Sequence, residues 1–432
     1  MTPAARLSAA AEVLDQIART RAPAESALKT WGQAHRFAGS KDRRAIADRV
    51  YRCLRAKARL GWAMGREDGR ALVIGSLALI DGLPLDEIEA IYSGEGYAPA
   101  RLSPAERDRL AAPPGSPPAW VSAGLPAFVV EDFRRSFGDD WAAEAEALMA
   151  PRAPIDLRVN GAKATVESVA AELAAEGLAS ERTPWSAWGL RLAADPPPNI
   201  QKLAAYREGR LEIQDEGSQV AAWLAGAGPG MTVVDYCAGG GGKTLALGQQ
   251  LFTGAGGSRL IACDVVQKRL DNIKPRLQRA GITAELRLLG PEGEGMDDLT
   301  GQADLVFVDA PCSGSGTWRR RPEDAWRLTA EEVERLHALQ VAILSRAAAL
   351  AKPGARLVYV TCSMLARENE DSIAAFEAAH AEFRPVPLDE VAAGNPNLTA
   401  LPGEDGTRHT LRLSPRRTDT DGFFAAVYER TA

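Results

Sequence analysis

The chain has 432 residues, of which 46% are hydrophobic and 25% charged, and its formal net charge is −6. This length accommodates several domains and a sizeable core, and the composition excludes a disordered or collagen-like chain. The acidic balance argues against a protein that coats nucleic acid non-specifically, although a local basic patch can still bind it.

Five cysteines are present, and none forms a CxxC pair or neighbours a histidine at zinc-ligand spacing. A disulfide framework and a zinc site are therefore not expected, and no other metal site is predicted. The N-terminal residues lack the apolar stretch of a signal peptide, and no window approaches the about 18 apolar residues that span a membrane. We expect a reduced, monomeric cytoplasmic protein without a membrane span.

Residues 1–95 are predicted to form an all-helical domain, because apolar residues recur at helical spacing in the first segment. These residues are Leu7, Ala10, Val13, Leu14 and Ile17. Ser40 is a candidate N-cap for a later helix that opens with a basic cluster. The cluster comprises Lys41, Arg43 and Arg44. Its charges fit either an ordinary solvated face or a helix that contacts phosphates.

Two shorter segments follow the helical domain. Residues 96–150 contain seven prolines, which predicts a linker of short helices. Residues 151–210 change character, with strand patterns at 155–160 and 189–192 and a helix pattern at 165–177. They predict a small α+β module.

From residue 211 to residue 432 strand and helix patterns alternate. Strands are predicted at Thr232–Asp235, Arg259–Asp264, Ala284–Leu289, Leu305–Asp309 and Arg356–Val360. Helices are predicted at Thr244–Leu251, Gln267–Ala280 and Thr329–Ala351. The alternation is typical of βαβ units and predicts an α/β domain with a doubly wound parallel sheet, in which Gly422–Tyr428 is the final edge strand.

A loop with four consecutive glycines, Gly239–Gly242, follows the first of these strands. A P-loop would need glycine at Cys237, and a G-x-G-x-x-G fingerprint would need it at position 244 or 245. S-adenosylmethionine is a third ligand class, since it also lies over such a loop while an acid at the end of the second strand holds its ribose. Asp264 ends that strand, 22 residues after Gly242. A glycine turn without a ligand is the remaining alternative.

Two cysteines lie just beyond the ends of two predicted strands. One strand runs into Asp309–Gly314, which contains Cys312, and the other runs into Thr361–Ser363, which contains Cys362. Strand C-terminal ends are where α/β sheets place their chemistry, and a thiolate there can act as a covalent nucleophile. We expect both thiols to converge beside the glycine loop.

Together these motifs resemble those of the RsmB/Sun-type RNA (cytosine-5) methyltransferases, from about residue 150 to the end. Residues 309–316 with Arg319 and Arg320 are similar to the family's fourth motif, and Thr361–Ser363 to its sixth. The loop 237–244 resembles the cofactor loop, with Gly240 where proline or alanine is more usual. Two further segments, Gln214–Gln219 and Asp421–Phe424, also resemble family signatures.

The resemblance implies four parts of the chain. Residues 1–95 are similar to the NusB-like RNA-binding domain of bacterial rRNA-modifying members, and residues 96–150 are a helical linker. Residues 151–210 stand where those members carry an RRM-like module. Residues 211–432 are implied to be a Rossmann-like domain that binds S-adenosylmethionine.

The resemblance also implies roles for the site residues. Cys362 is implied to be the nucleophile that adds to carbon-6 of cytosine, and Cys312 to assist breakdown of the covalent intermediate. In DNA cytosine methyltransferases the cysteine of the Pro-Cys pair is the nucleophile, so exchanged roles stay open. Asp309 is implied to hydrogen-bond the base, and Lys243 to orient Asp309 or its loop. The implied cofactor contacts are Cys237, Ala238, Gly239, Gly240, Gly241, Gly242, Lys243, Asp264, Arg269 and Asp309.

The implied partner is RNA. The target base must leave any stack to reach the site, so looped or single-stranded RNA is expected. Small-subunit rRNA is favoured over tRNA, and a non-catalytic RNA-binding assembly factor is the alternative from another class. Gly290 stands where the family often has an acid near the adenine. The candidate phosphate contacts are Lys41, Arg43, Arg44, Arg319, Arg320 and Arg321.

Overall fold

A computed structural model describes residues 1–112, 114–149, 153–193, 198–252, 256–391 and 408–431. The chain divides into two compact units. The first, called the helical unit, comprises Met1–Arg152 and Thr317–Ala330; the second, called the α/β unit, comprises Ala153–Gly316 and Glu331–Ala432. In the described part of the chain, no helix is long and apolar enough to cross a membrane.

Helices alone build the chain up to Met149, and strands alternate with helices from Ile155 onward in the residues that the structure describes. The α-helices are α1 (Pro3–Thr20), α2 (Ala24–Ala34), α3 (Ser40–Arg55), α4 (Lys57–Met64), α5 (Gly69–Leu79), α6 (Leu85–Ile91), α7 (Pro104–Ala111), α8 (Ala119–Ala123), α9 (Val130–Phe137), α10 (Trp141–Met149), α11 (Val166–Ala175), α12 (Ala204–Arg207), α13 (Glu216–Leu224), α14 (Gly242–Leu251), α15 (Gln267–Ala280), α16 (Pro322–Ala325), α17 (Ala330–Ala348), α18 (Glu370–Ala379), α19 (Leu388–Val391) and α20 (Pro415–Thr418). The strands are β1 (Ile155–Val159), β2 (Ser180–Arg182), β3 (Gly189–Leu192), β4 (Leu211–Ile213), β5 (Thr232–Asp235), β6 (Arg259–Asp264), β7 (Glu285–Leu288), β8 (Ala303–Asp309), β9 (Ala351–Thr361), β10 (Phe383–Pro385), β11 (Thr410–Leu413) and β12 (Phe423–Arg430).

The first helix buries the stripe that its spacing predicts. Val13, Leu14 and Ile17 are buried in a cluster shared with α3 and α5, and the Thr2 hydroxyl caps the helix by accepting from the backbone N–H of Ala5. The prediction of Ser40 as an N-cap is wrong by one residue. Gly39 is the N-cap of α3, and its N–H donates to the Asp42 carboxylate at 3.1 Å.

The segment 317–330 packs within the helical unit, although its sequence lies between two strands of the α/β unit. Trp318 is fully buried and stacks on Phe133, with ring centroids 6.4 Å apart. The Trp326 indole N–H donates to the backbone oxygen of Leu54 at 2.8 Å. The burial of two large aromatic side chains therefore fixes this segment to the helices.

A small antiparallel sheet opens the α/β unit. Its strand order is β2-β3-β1-β4, and α11 covers it. Thr165 caps α11 by accepting from the N–H of Ser168 at 3.2 Å. The apolar side of the sheet and Val169 and Leu173 of α11 share one buried cluster. The α+β character predicted for this part of the chain is confirmed.

The main sheet has the order β10-β12-β9-β8-β5-β6-β7, with β11 also paired to β12. Strands β9, β8, β5, β6 and β7 are parallel, as predicted. The prediction that β12 is an edge strand is wrong, because it lies antiparallel to β9 on one side and pairs with β10 and β11 on the other. The sheet is therefore mixed, and its centre is buried on both faces.

The strand order places the loops that carry the motifs together. After β5 the chain continues to β6 on one side, while β8 and β9 lie on the other side of β5. This reversal is the switch point at which open α/β sheets bind ligands beyond the carboxyl ends of their strands. The loops that follow β5, β6, β8 and β9 all leave the sheet at that edge, since these strands are parallel.

Candidate active site

The glycine loop joins β5 to α14 through two backbone conformations that favour glycine. Gly239 has a φ of 55° and Gly241 a φ of 81°. A Cβ on Gly241 would also lie 2.9 Å from a side-chain carbon of Ile273. Gly240 has neither constraint, and its nearest neighbour would be the Arg276 guanidinium at 3.5 Å. The backbone of the loop is therefore not covered by its own side chains, which allows a ligand to lie against it.

Asp264 is fixed at the end of β6 by the same loop. Its carboxylate accepts from the N–H of Gly239 at 3.0 Å and from that of Val266 at 2.8 Å. Arg269 lies 3.5 Å from the carboxylate and leaves its own side chain half exposed. These contacts place the predicted ribose acid and Arg269 beside the loop.

Asp235 is a buried acid that sequence reasoning missed. One of its oxygens accepts from the Thr244 hydroxyl at 2.6 Å, and the other has no hydrogen-bond partner among the described residues. Burial raises the pKa of Asp235 to about 7, and the nearby Asp309 charge adds to this effect. An acid at the last position of a strand, directly before a glycine loop, is the signal that marks it.

Lys243 and Asp309 form an ion pair between α14 and the end of β8. The Lys243 Nζ lies 2.7 Å from an Asp309 carboxylate oxygen and 5.0 Å from the centroid of the Phe423 ring. Burial opposes the ammonium charge, but Asp309 outweighs it and raises the pKa of Lys243. Lys243 is thus a cation held against the Asp309 carboxylate.

The two cysteines expected to converge do so. The sulfurs of Cys312 and Cys362 lie 3.5 Å apart, at the ends of β8 and β9. The contact with Cys362, burial and the charge of Glu368 together raise the pKa of Cys312 well above that of a free thiol. Burial and the neighbouring thiol therefore disfavour the charged form of Cys312.

The other three cysteines have the surroundings of structural residues. Cys53 and Cys263 are fully buried, and Cys237 lies in the glycine loop. Burial raises the pKa of Cys53 to about 11 and that of Cys237 well above its ordinary value. None of these thiols is set up as a nucleophile.

Backbone hydrogen bonds join the loop after β8, the loop after β9 and the segment Asp421–Phe424. Gly316 donates its N–H to the Cys362 oxygen at 2.9 Å, and Gly422 donates to the Gly316 oxygen at 2.8 Å. A Cβ on Gly316 would lie 2.1 Å from the Gly422 oxygen, so glycine is required there. Asp215 of the segment Gln214–Gln219 accepts from the N–H of Asp421 at 3.0 Å. The segments that resemble family signatures therefore lie together.

The candidate phosphate contacts differ in exposure. Lys41, Arg43 and Arg44 are exposed on α3, and Arg321 is less buried than its neighbours. Arg319 is only 3% exposed, and its backbone oxygen accepts from Arg55 at 2.8 Å, so its side chain is not available to a phosphate in this conformation. Arg320 is partly buried. The prediction for Arg319 overlooked the burial of this residue beside Trp318 in the helical unit.

Gly290, where the family often has an acid, lies in the turn after β7. Its N–H donates to the Glu294 backbone oxygen at 3.1 Å, and a Cβ there would lie 2.2 Å from the Glu294 carboxylate. A side chain at position 290 would therefore displace the Glu294 side chain, and Glu294 is the acid next to this turn.

Comparison with known proteins identifies the family. A family model described as 16S rRNA methyltransferase RsmB/F matches residues 222–429, and an RsmF/B-like ferredoxin-like domain matches residues 125–197. Ribosomal RNA small subunit methyltransferase B of Xanthomonas campestris is 30% identical over 376 residues, which cover 83% of this chain and 80% of the relative. The chain belongs to the RsmB/F methyltransferase family.

Two solved structures extend this family likeness to the fold. The crystal structure of PH0851 has a TM-score of 0.74 and 26% identity, covering 100% of this chain and 99% of that one. A methyltransferase homologue from Pyrococcus horikoshii has a TM-score of 0.60 and 26% identity, covering 76% and 100% respectively. The Rossmann-like fold predicted for the methyltransferase domain is confirmed.

The cofactor of this RsmB/F family member is S-adenosylmethionine. The residues present fit it, because Gly239 and Gly241 adopt positive φ values that favour glycine and keep the loop free of side chains, and Asp264 ends the second strand of the βαβ unit. Asp264 is the residue that would hold the ribose hydroxyls, and the glycine backbone would lie against the rest of the cofactor.

Proposed function

We propose that this RsmB/F family member methylates carbon-5 of a cytosine in RNA through a covalent cysteine–cytosine intermediate. The observation that carries the proposal is the pair of thiols 3.5 Å apart beside the Lys243–Asp309 ion pair. Carbon-5 of cytosine is a poor nucleophile until a thiolate adds to carbon-6, and a methyltransferase of another type has no need of two cysteines there.

In the proposed reaction the Cys362 thiolate forms a bond to carbon-6, and the ring electrons shift toward carbon-5. Asp309, oriented by Lys243, hydrogen-bonds the N3 edge and the exocyclic amine of the base. The methyl group that carbon-5 gains would come from bound S-adenosylmethionine, which would leave as S-adenosylhomocysteine. Water then accepts the carbon-5 proton, the electrons of that bond re-form the carbon-5–carbon-6 double bond, and the sulfur–carbon-6 bond breaks to release the Cys362 thiolate. Cys312 assists this breakdown.

The assignment of Cys362 as the nucleophile is supported by the likeness of Thr361–Ser363 to the sixth motif of the family. The alternative with exchanged roles predicts the opposite behaviour when either cysteine is replaced.

Single substitutions of the two cysteines test the mechanism. With S-adenosylmethionine and substrate RNA, we expect Cys312→Ala to accumulate a protein–RNA adduct that survives a denaturing gel, because breakdown is slowed. Cys362→Ala should form no adduct. Adduct formation by Cys362→Ala and none by Cys312→Ala would reverse the roles, and an adduct with neither variant would reject the covalent mechanism.

We further propose small-subunit rRNA as the substrate, since the relative from Xanthomonas campestris carries that substrate in its name. The exposed basic residues of α3 are proposed to contact phosphates, with the helices of residues 1–95 acting as a NusB-like domain and residues 151–210 as an RRM-like module. Bisulfite sequencing of total RNA from a deletion strain tests this. Loss of one rRNA methylcytosine supports it, loss of a tRNA methylcytosine redirects it to tRNA, and an unchanged map rejects it.

A further inference from the structure

A second buried acid lies between the two cysteine loops of the α/β unit. Glu368 is fully buried, six residues after Cys362 and just before α18. Its backbone is held by the Tyr359 hydroxyl, which donates to the Glu368 carbonyl oxygen at 2.6 Å. A buried carboxyl group is costly unless several donors compensate it, so its partners indicate its role.

The Glu368 carboxylate accepts hydrogen bonds from both cysteine loops. The N–H of Ser313 donates to one oxygen at 2.7 Å, and the Ser313 hydroxyl donates to the other. The Ser363 hydroxyl also donates to that second oxygen, at 2.5 Å. Ser313 directly follows Cys312 and Ser363 directly follows Cys362. One carboxylate thus joins the residues next to both thiols.

Helix α17 provides the fourth donor. The Gln340 side-chain amide donates to Glu368 at 3.0 Å and to the Pro311 oxygen at 3.0 Å. Its orientation is fixed by Ser372, whose hydroxyl donates to the Gln340 amide oxygen at 3.1 Å. Gln340 therefore holds both the carboxylate and the residue that precedes Cys312.

Two further N–H groups of this network donate to serine hydroxyl oxygens and not to the carboxylate. The N–H of Met364 donates to the Ser315 hydroxyl oxygen at 2.8 Å, and that of Leu365 to the Ser363 hydroxyl oxygen at 3.0 Å. Each serine hydroxyl has one proton to give. A carboxylate accepts on both of its oxygens, whereas an amide of the same shape accepts on its oxygen alone, so glutamine cannot satisfy all four donors.

We propose that Glu368 is a positioning residue that sets the separation and orientation of the Cys312 and Cys362 thiols. It acts through Ser313 and Ser363 and does not touch the thiols in the contacts described. The inference rests on the proposed function for its catalytic meaning, since the two thiols act in sequence on one base. The relative placement of the sulfurs, however, can be measured without catalysis.

The test compares Glu368→Gln with the matched control Glu334→Gln, which removes an exposed carboxylate on α17 paired to Arg367. Diamide is added to each folded protein, and the rate at which Cys312 and Cys362 form a disulfide is followed by peptide mass spectrometry. We expect the control to match the wild type and Glu368→Gln to cross-link more slowly, because its loops lose a shared acceptor. Equal rates in the three proteins would overturn the proposal.

Methyl transfer gives a second test, because a positioning role lowers kcat without weakening cofactor binding, whereas a role in stability alone does not separate the two. For Glu368→Gln we expect kcat to fall by about a hundredfold, as for a displacement of roughly 1 Å, while S-adenosylmethionine binding stays within about twofold. A parallel loss of cofactor binding would overturn the positioning role. If the wild type methylates no RNA, the proposed function fails, but the cross-linking rates still decide the inference.

Ser363→Ala covers the case in which Glu368→Gln does not fold. This variant removes one hydroxyl from the carboxylate and keeps the buried charge with its other donors. We expect slower cross-linking than in the wild type, with an unchanged circular dichroism spectrum. A wild-type rate in folded Ser363→Ala would contradict the proposal.

Discussion

At the scale of single residues, chemically identical groups in this site differ because of their neighbours. The pKa of Cys312 is raised because it contacts Cys362 and lies buried near the charge of Glu368. Asp309 is paired to Lys243, whereas Asp235, in the same unit, has one oxygen without a partner among the described residues. Burial and ion pairing thus give residues of the same type different properties, and a sequence motif reveals neither.

Asp235 gives the protein a pH-dependent stability. Its pKa is raised to about 7 by burial, whereas an ordinary aspartate has a pKa of 3.8. Between these values the folded state binds more protons than the unfolded chain, so Asp235 makes the free energy of unfolding fall as pH rises from about 4 to 7. We expect Asp235→Asn to lose this decline, so its stability relative to the wild type improves from about pH 5 to about pH 8.

Urea unfolding of both proteins across this pH range measures the effect. Asp271→Asn, which removes an exposed carboxylate on α15 paired to Lys274, serves as the control and should follow the wild-type pH profile. A stability difference between Asp235→Asn and the wild type that does not change with pH would show that Asp235 titrates normally.

At the scale of elements, the sequence predicts features that depend on local residue patterns. It does not predict features that depend on how strands pair in the folded protein. Helix Gln267–Ala280 is predicted to the residue, because its apolar stripe at Leu270, Ile273 and Leu277 is regular and Gly281 ends it in the left-handed region. Strand β12 is recognised as a strand but misplaced, since its position depends on pairing with β9 and not on its own pattern. Glu368 escapes sequence reasoning because nothing in the neighbouring sequence marks its carboxyl group as buried, whereas Asp235 is marked by its place at a strand end before the glycine loop.

We expect alanine substitutions at two positions of the glycine loop to differ in their effect, because Gly241 has a positive φ and a close contact and Gly240 has neither. Gly241→Ala places a side chain at a φ of 81° and a Cβ 2.9 Å from Ile273, which costs about 1–3 kcal/mol in the loop. We expect S-adenosylmethionine to bind roughly 5- to 150-fold more weakly to this variant. Gly240→Ala, whose Cβ would lie no closer than 3.5 Å to its neighbours, should bind within about twofold of the wild type.

Calorimetric titration with S-adenosylmethionine measures both variants. Equal affinities for Gly241→Ala and Gly240→Ala would mean that the loop relaxes around the new side chain, contrary to its close contact with Ile273.

At the scale of the whole molecule, the chain crosses between its units three times. It leaves the helical unit after Arg152, returns to it at Thr317 and leaves again after Ala330. The first crossing falls near the predicted boundary at residue 150, where composition changes. The sequence does not predict the other two, because residues 317–330 lie within a βαβ pattern.

The segment 317–330 should contribute strongly to the stability of the helical unit. Trp318 is fully buried there, so we expect Trp318→Ala to lower the free energy of unfolding by about 3–5 kcal/mol. Trp62→Ala, whose side chain is 38% exposed in the same unit, should cost less. Urea unfolding followed by far-UV circular dichroism compares them, and equal losses would contradict the packing described.

The placement of residues 317–330 has a consequence for inheritance. A single recombination event that replaced residues 1–152 with those of a relative would leave Trp318 and Trp326 of this chain facing foreign helices in place of Phe133 and Leu54. The helical unit is therefore encoded in two separated stretches of the gene that must change together. We expect Trp318 and Phe133 to covary among relatives more closely than residues that are near each other in sequence alone.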